Sequence, residues 1–272
     1  MKTKIQILKT AELALNSVLG DKGEWARVLF APWVVLVIGY LVVALFGDKT
    51  GGDLFQYTYN TGEGLLQNNY NLQYSGDEAR LQIFSLISGI LMTINGFRYT
   101  LLKEGGKRWW VLPFNVRFFK LLICTILFAF LMFLFLIVPI GGAFLGGLMG
   151  GLLGGILGGI LGVCGVFTAF LYPIIRLSLF DLFIAIDQGH PFSASWDLLK
   201  ENVWRFAGLI GLWMIVYGVS TTVLSLALTP ALADLILTPI TTAFFIKGAS
   251  LVYETLNEKK AVAKAPRTKK QK

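Results

Sequence analysis

The sequence is short of the residues on which many enzymes depend. It has one histidine, His190, and two cysteines, Cys124 and Cys164. A single histidine excludes both an HExxH zinc site and a histidine-pair phosphodiesterase centre, and the Gly-Lys-Ser/Thr of a P-loop is absent. Both cysteines lie in an uncharged run, where a thiol is most often a small apolar filler. We therefore predict that the protein is not an enzyme, with no catalytic residues, no metal site and no cofactor.

Charge is scarce as well. Asp, Glu, Lys and Arg make up 15% of the chain, against about 25% in soluble domains. Residues 121–175 contain none of them and no histidine. Since a bilayer core about 30 Å thick needs about 20 apolar helical residues, this run predicts two crossings joined by a turn. The net charge is +8, and the basic residues that produce it lie beside such segments. We therefore expect membrane lipids as partners and no nucleic acid.

The hydropathy pattern predicts an all-α, polytopic membrane protein. Its six transmembrane helices form three hairpins, with amphipathic interfacial helices on the cytoplasmic side. Residues 1–256 form a single transmembrane domain, and residues 257–272 form a basic, disordered tail. The predicted crossings are residues 28–46, 81–102, 121–140, 151–175, 206–228 and 235–253. Pro32 falls in the first turn of the first crossing, and residues 229–234 form a short turn before the last.

The distribution of Lys and Arg sets the predicted orientation. The segments predicted to face the cytoplasm carry 22 of these residues, and the outer segments carry 2. Because cytoplasmic loops are enriched in Lys and Arg, both termini are predicted to be cytoplasmic. Apolar residues at helical spacing within residues 1–27 predict an amphipathic helix on the inner surface.

Aromatic residues stand beside cations in the inner segments, as is typical of a membrane interface. These stretches anchor the chain or bind anionic headgroups, and the sequence leaves both readings open. The lipid-interface candidates are Lys107, Arg108, Trp109, Trp110, Arg117, Arg176, Trp196, Trp204 and Arg205. Asp181 and Asp187 are predicted to lie on the same surface, paired with Arg176 or Lys247.

Glycine is concentrated in one stretch. Residues 141–165 contain twelve glycines, and steps of four residues place many of them on one helix face. Such a face allows close helix packing, inside the monomer or in a homo-oligomer; a pore lining is the alternative. The helix-packing candidates are Gly146, Gly150, Gly154, Gly158 and Gly162.

Short motifs in the last hundred residues resemble a known family. The motifs are Tyr172-Pro-Ile-Ile-Arg-Leu-Ser-Leu-Phe180, Gly189-His-Pro-Phe192, Ser195-Trp196, Asn202-Val-Trp-Arg205 and Leu251-Val-Tyr-Glu254. They are similar to motifs of the YciC-like, or glycerophosphoryl diester phosphodiesterase membrane-domain-like, six-helix proteins of bacteria. The resemblance implies a multi-pass protein of the bacterial inner (plasma) membrane with no established catalytic residues.

Three functional hypotheses follow. The first is a membrane-organising or envelope-maintenance protein that contacts lipids or membrane partners through its cytoplasmic interfacial segments. The second is a small-solute transporter or channel subunit, for which ionisable residues inside the membrane would be the marker. The third, a membrane-bound enzyme, needs a polar pocket that the sequence does not reveal.

Overall fold

The structure, a computed structural model, describes residues 5–46, 76–104, 109, 111–130, 144, 148, 151, 156, 160 and 172–264. These residues are helical, with short connections and no strand, which confirms the all-α prediction. The helices are α1 (Ile7–Gly20), α2 (Lys22–Phe46), α3 (Gly76–Leu102), α4 (residues 116–130), α5 (Phe180–Ala185), α6 (Pro191–Leu199), α7 (Val203–Ala227) and α8 (Pro230–Lys264). A helical segment at residues 172–177 precedes α5.

Within the described residues, four helices are long and apolar enough to cross a membrane: Lys22–Phe46, Arg80–Leu102, Val203–Ala227 and Ala231–Asn257. They match the predicted first, second, fifth and sixth crossings, and the chain is therefore a multi-pass membrane protein. Most of the predicted third and fourth crossings lie outside the described residues. Six crossings and three hairpins stay a prediction.

Helices α2 and α3 pack antiparallel along most of their length. At one end the rings of Trp25 and Tyr99 meet edge to face, with centroids 5.3 Å apart. Further along, the Ser88 hydroxyl donates to the Pro32 carbonyl over 2.8 Å. Residue numbers fall in α3 as they rise in α2, so the start of α2 and the end of α3 lie together.

Helices α7 and α8 are also antiparallel, and α8 runs parallel to α3. Trp213 of α7 stacks on Phe244 of α8 at a centroid distance of 5.5 Å. The hydroxyls of Thr100 in α3 and Ser250 in α8 are 2.7 Å apart. The main core lies among these helices and is filled by buried side chains that include Met92, Phe97, Phe206, Leu209 and Ile246.

Each proline inside a long helix has a neighbour that accommodates it. A proline lacks the N–H that would bond the carbonyl four residues earlier. The Val28 carbonyl, which Pro32 leaves without that donor, accepts a hydrogen bond from Asn95 Nδ2 over 3.3 Å. The Leu235 carbonyl, four residues before Pro239, accepts one from Trp33 Nε1 over 2.9 Å. Helix α2 begins at Lys22, so the placement of Pro32 in a first turn was wrong.

Helix α1 packs against α7 and α8. The Ile5 N–H donates to Asn202 Oδ1 over 3.1 Å, and Arg205 Nη1 donates to the Ile5 carbonyl over 2.9 Å. Ala14 and Val18 are buried against the bundle. The outward side of α1 exposes the leucines Leu8, Leu13, Leu15 and Leu19 together with Lys9, Glu12 and Asn16, so its exposed surface is partly apolar and partly polar.

Two boundaries differ from the predictions. Helix α8 begins at Pro230, so Asp234 lies within the helix and not in a turn. Asp234 accepts hydrogen bonds from the hydroxyls of Tyr40, Tyr217 and Thr238, the first over 3.1 Å and the last over 3.2 Å. At its other end α8 continues to Lys264, into the segment predicted to be a disordered tail.

Helix α5 lies inside the bundle. Phe180, Leu182, Phe183, Ile184 and Ala185 are all buried, several of them against α3 and the start of α4. The prediction that this segment lies on a surface was wrong for its apolar residues, whereas Asp187, just after the helix, is exposed. The sequence pattern could not distinguish a surface helix from a helix packed inside the bundle, because a six-residue helix with one Asp is compatible with both.

Candidate functional site

The end of the bundle where α3 stops carries a cluster of four charged side chains: Arg98, Glu104, Arg117 and Asp187. We call it the charged end. Arg98 pairs with Glu104 and, over 3.4 Å, with Asp187. Arg117, at the start of α4, holds Asp187 with two guanidinium nitrogens, and its Nε lies 2.6 Å from Oδ1. Three separate elements therefore meet at one carboxylate.

The backbone is strained on both sides of this cluster. Lys103 has a φ of 57° at the end of α3, and Asp187 has a φ of 58° after α5. At the latter turn Gln188 N–H bonds the Phe183 carbonyl and Asp187 N–H bonds the Ile184 carbonyl, which is a Schellman motif. Glycine normally fills that position, and for another residue it costs about 1–2 kcal/mol. At Asp187 the two arginine contacts offset this cost.

The ion pairs set the protonation of the cluster. The Arg117 guanidinium, hydrogen-bonded to Asp187, holds the pKa of that carboxyl below its usual value. The same hydrogen bond raises the pKa of Arg117. Asp187 therefore stays ionised, and its partners are Arg117 and Arg98. The predicted pairing of Asp187 with Arg176 or Lys247 was wrong.

A polar recess of about 320 Å³ opens beside the cluster. It is lined by Val28, Asn95, Arg98, Glu104, Val111, Pro113, Asn115 and Arg117. Asn95 also donates to the Val111 carbonyl over 2.8 Å, which ties the chain that follows α3 to the helix itself. The recess offers charges of both signs.

Arg176 lies inside the protein. It is only 5% exposed, and its guanidinium carbon lies 3.8 Å from the centre of the Trp196 ring. Its Nε and Nη2 both donate to the Trp196 carbonyl, over 3.1 and 2.7 Å, and Nη1 donates to the Tyr172 hydroxyl over 3.3 Å. Arg176 and Trp196, both predicted to face lipid, thus fasten the segment before α5 to α6.

The other predicted interface residues are spread over the same end. Trp109 is about half exposed and meets the Phe30 ring at 5.4 Å. Trp204 is 62% exposed at the start of α7, and Arg205 holds the backbone of Ile5. The remaining candidates, Lys107, Arg108 and Trp110, lie outside the described residues, as do all five helix-packing glycines. Lipid contact by these residues stays a prediction.

An apolar groove of about 480 Å³ lies where α1, α2 and α8 meet. Its walls are Val18, Leu19, Trp25, Ala26, Leu29, Phe30, Trp33, Pro239, Ile240, Ala243 and Phe244, and Lys22 is the one charged residue in its lining. Trp33 Nε1 is already bonded to the Leu235 carbonyl, so it adds no polar character. Sequence reasoning missed this groove because no spacing rule brings α8 beside α2.

A second cavity, of about 470 Å³, has a mixed polar and apolar lining that includes Asp181. It is lined by Gln82, Ser85, Leu86, Gly89, Ile90 and Thr93 of α3, Leu121 and Thr125 of α4, and Phe180 and Asp181 of α5. Asp181 makes no ion pair with another described residue; its Oδ1 accepts a hydrogen bond from the Leu182 N–H over 2.8 Å. In the described part of the chain, no group of three His, Cys, Asp or Glu side chains could hold a metal ion.

Close helix contacts also occur at glycines that the sequence did not single out. A methyl group on Gly39 would lie 2.4 Å from Phe84 Cβ, and one on Gly96 would lie 2.5 Å from Ile246 Cδ1. These single glycines fix the spacing of α2, α3 and α8. An isolated glycine in an apolar run is the signal that could have identified them.

Comparisons with protein-family models, with curated proteins and with solved structures find no match. The assignment of function therefore depends on the residues and geometry of the chain itself.

Proposed function

We propose that this protein organises or maintains the bacterial inner membrane by binding anionic phospholipid in its apolar groove, beside Lys22. Both termini are cytoplasmic in this proposal, and the charged end faces the cytoplasm. The motif resemblance to the YciC-like six-helix proteins supports the same location. The observation that carries the proposal is the apolar groove with Lys22 at its mouth.

The dimensions of the groove fit one leaflet of a bilayer. Along α2 its lining extends from Lys22 to Trp33, which is about 16 Å at a rise of 1.5 Å per residue. This is close to half of a hydrocarbon core about 30 Å thick. An acyl chain that enters beside Lys22 would therefore stay within the near leaflet for its whole length.

The positive charge of Lys22 favours a lipid with an anionic headgroup. The Lys22 ammonium is a compact point charge suited to a phosphate. It stands at the same end of α2 as Trp25, which contacts Tyr99 near the end of α3. Leu19, an exposed leucine of α1 in the groove lining, adds apolar surface beside Lys22, as is typical of interfacial helices. The site thus combines an apolar slot with a cation at interface level.

Lipid retention tests the proposal. The full-length protein is purified in mild detergent, mixed with equal amounts of phosphatidylglycerol and phosphatidylcholine, and examined by native mass spectrometry. We expect phosphatidylglycerol to be retained preferentially. Lys22→Gln should abolish the preference, and Ala26→Trp, which fills the groove, should lower the retention of both lipids.

Lys9→Gln is the matched control, because Lys9 is an exposed cation of α1 that does not line the groove. Its lipid preference should equal that of the unmodified protein. Neutralising Lys107, Arg108 and Arg117 tests the predicted interfacial cluster separately. Equal retention of both lipids by the unmodified protein, or an unchanged preference in Lys22→Gln, would count against the proposal.

A small-solute transporter or channel subunit is the second candidate function. The specific observation in its favour is the cavity at Asp181, whose lining residues in α3 belong to the membrane span Arg80–Leu102. Ionisable groups at that depth commonly mark a pathway. Solute uptake by proteoliposomes that is lost in Asp181→Asn would favour this function over the first.

A further inference from the structure

We propose that the cavity around Asp181 is a binding site for a monovalent cation, which competes there with a proton. The inference is independent of lipid binding, because the two cavities share no lining residue. It depends on three observations: the position of the cavity along the membrane span, the break in the helix that carries Asp181, and the charge of the lining.

The cavity lies along the membrane-spanning part of α3. In α3 its lining extends from Gln82 to Thr93, and the span ends at Leu102. At 1.5 Å per residue, Thr93 is about 14 Å from that end, and Gln82 is about 3 Å from the opposite end at Arg80, so the cavity extends from the middle of the span to its other boundary. Polar groups at the inner end of the cavity are costly unless they have partners. Its volume of about 470 Å³ accommodates a cation with several waters, each of which occupies about 30 Å³ in the liquid.

Asp181 stands directly after a break in a helix. The helical segment at residues 172–177 ends in a turn, and α5 starts at Phe180. Ser195 of α6 stabilises the break: its hydroxyl donates to the Arg176 carbonyl over 2.7 Å and accepts from the Leu179 N–H over 3.3 Å. Ser195 is completely buried. A discontinuous helix of this kind is the usual framework for coupling-ion sites in membrane transporters.

The residues that line the cavity favour a ligand with a single positive charge. Asp181 is the one ionisable side chain among the described residues that line the cavity. Gln82, Ser85, Thr93 and Thr125 place neutral oxygens along about 16 Å of the lining, and those nearest Asp181 would complete the oxygen coordination that a hard cation prefers. A single carboxylate is neutralised by one monovalent ion, whereas a divalent ion would leave a net positive charge in a medium of low dielectric constant. A proton satisfies the same charge balance, so the two compete.

Ligand-dependent stability measures this binding without any transport assay. The full-length protein in detergent is heated at pH 8 with increasing NaCl, and choline chloride keeps the ionic strength constant. Because a ligand that binds only the folded state stabilises it by mass action, the midpoint of unfolding should rise with Na⁺. At pH 5 the half-maximal Na⁺ concentration should be higher than at pH 8, since protons compete with Na⁺ for the carboxyl.

Asp181→Asn should remove the Na⁺ dependence, and Thr93→Val and Thr125→Val should each raise the half-maximal concentration severalfold. Asp234→Asn is the matched control, because it removes a carboxylate from another membrane-spanning helix and should leave the Na⁺ dependence intact. The proposal is overturned if neither Na⁺ nor K⁺ stabilises the unmodified protein. It is also overturned if Asp181→Asn responds to Na⁺ as the unmodified protein does, since the ion then binds elsewhere.

Discussion

The hydrogen bond from Trp33 to α8 should contribute to the free energy of unfolding only because Pro239 is present. Trp33 Nε1 donates over 2.9 Å to the Leu235 carbonyl, which has no helical donor at residue 239. Trp33→Phe removes this donor and leaves a carbonyl unsatisfied, which costs about 1–3 kcal/mol. In a Pro239→Ala background, the alanine supplies the helical N–H. The hydrogen-bond part of the loss should then disappear, and only the change in ring packing should remain.

The double-mutant cycle isolates that part. The four proteins are unfolded reversibly in mixed micelles with an increasing fraction of SDS, and their free energies of unfolding are compared. We expect a coupling energy of about 1–2 kcal/mol between residues 33 and 239. A coupling energy near zero would refute the reasoning, because Trp33→Phe would then cost the same with or without the proline.

Three further predictions concern the described helices. Gly39→Ala should lower the free energy of unfolding by about 1–3 kcal/mol through overpacking, since the new methyl group would meet Phe84. The control is Gly218→Ala, which has open space around the new methyl group and should be neutral or slightly stabilising in the same SDS assay. Arg176→Lys should destabilise nearly as much as Arg176→Ala, because an ammonium cannot reproduce the planar contact with the Trp196 ring; full stability of the lysine variant would contradict this. Asp187 has a depressed pKa in the folded protein, so its contribution is present above its unfolded pKa of about 3.9 and is lost as the pH falls through the folded value. The stability difference between the unmodified protein and Asp187→Asn should therefore shrink as the pH drops below about 4, and a difference that grows there would contradict the assignment.

The sequence was sufficient for the membrane-spanning helices that the structure describes. A long apolar run in lipid favours an α-helix, because each backbone group without a hydrogen-bond partner costs several kcal/mol there. Helix ends were less certain: α2 starts at Lys22, well before the predicted residue 28, because Lys22 and Arg27 are tolerated where the helix reaches the interface.

The sites depended on tertiary contacts that the sequence does not express. Asp181 and Asp187 are six residues apart, yet one lines a cavity in the bundle and the other joins the ion pairs at the charged end. Helical periodicity cannot distinguish the two environments, because every residue of the short helix α5 except Asp181 is buried. Arg176 was predicted to lie at the membrane interface, but it is buried and donates to the Trp196 carbonyl. That partner is a backbone group, so no pattern of side chains in the sequence could have identified it.

Photo-crosslinking from inside the groove tests the central claim most directly. A photoreactive amino acid replaces Ala26 in the groove or, as a control, Val219 on the exposed face of α7, in membranes that contain anionic and zwitterionic phospholipids. The account predicts that the lipid captured at residue 26 is enriched in the anionic species relative to the bulk membrane, and that the lipid captured at residue 219 matches the bulk. Capture of both lipids in the bulk ratio at residue 26 would contradict it.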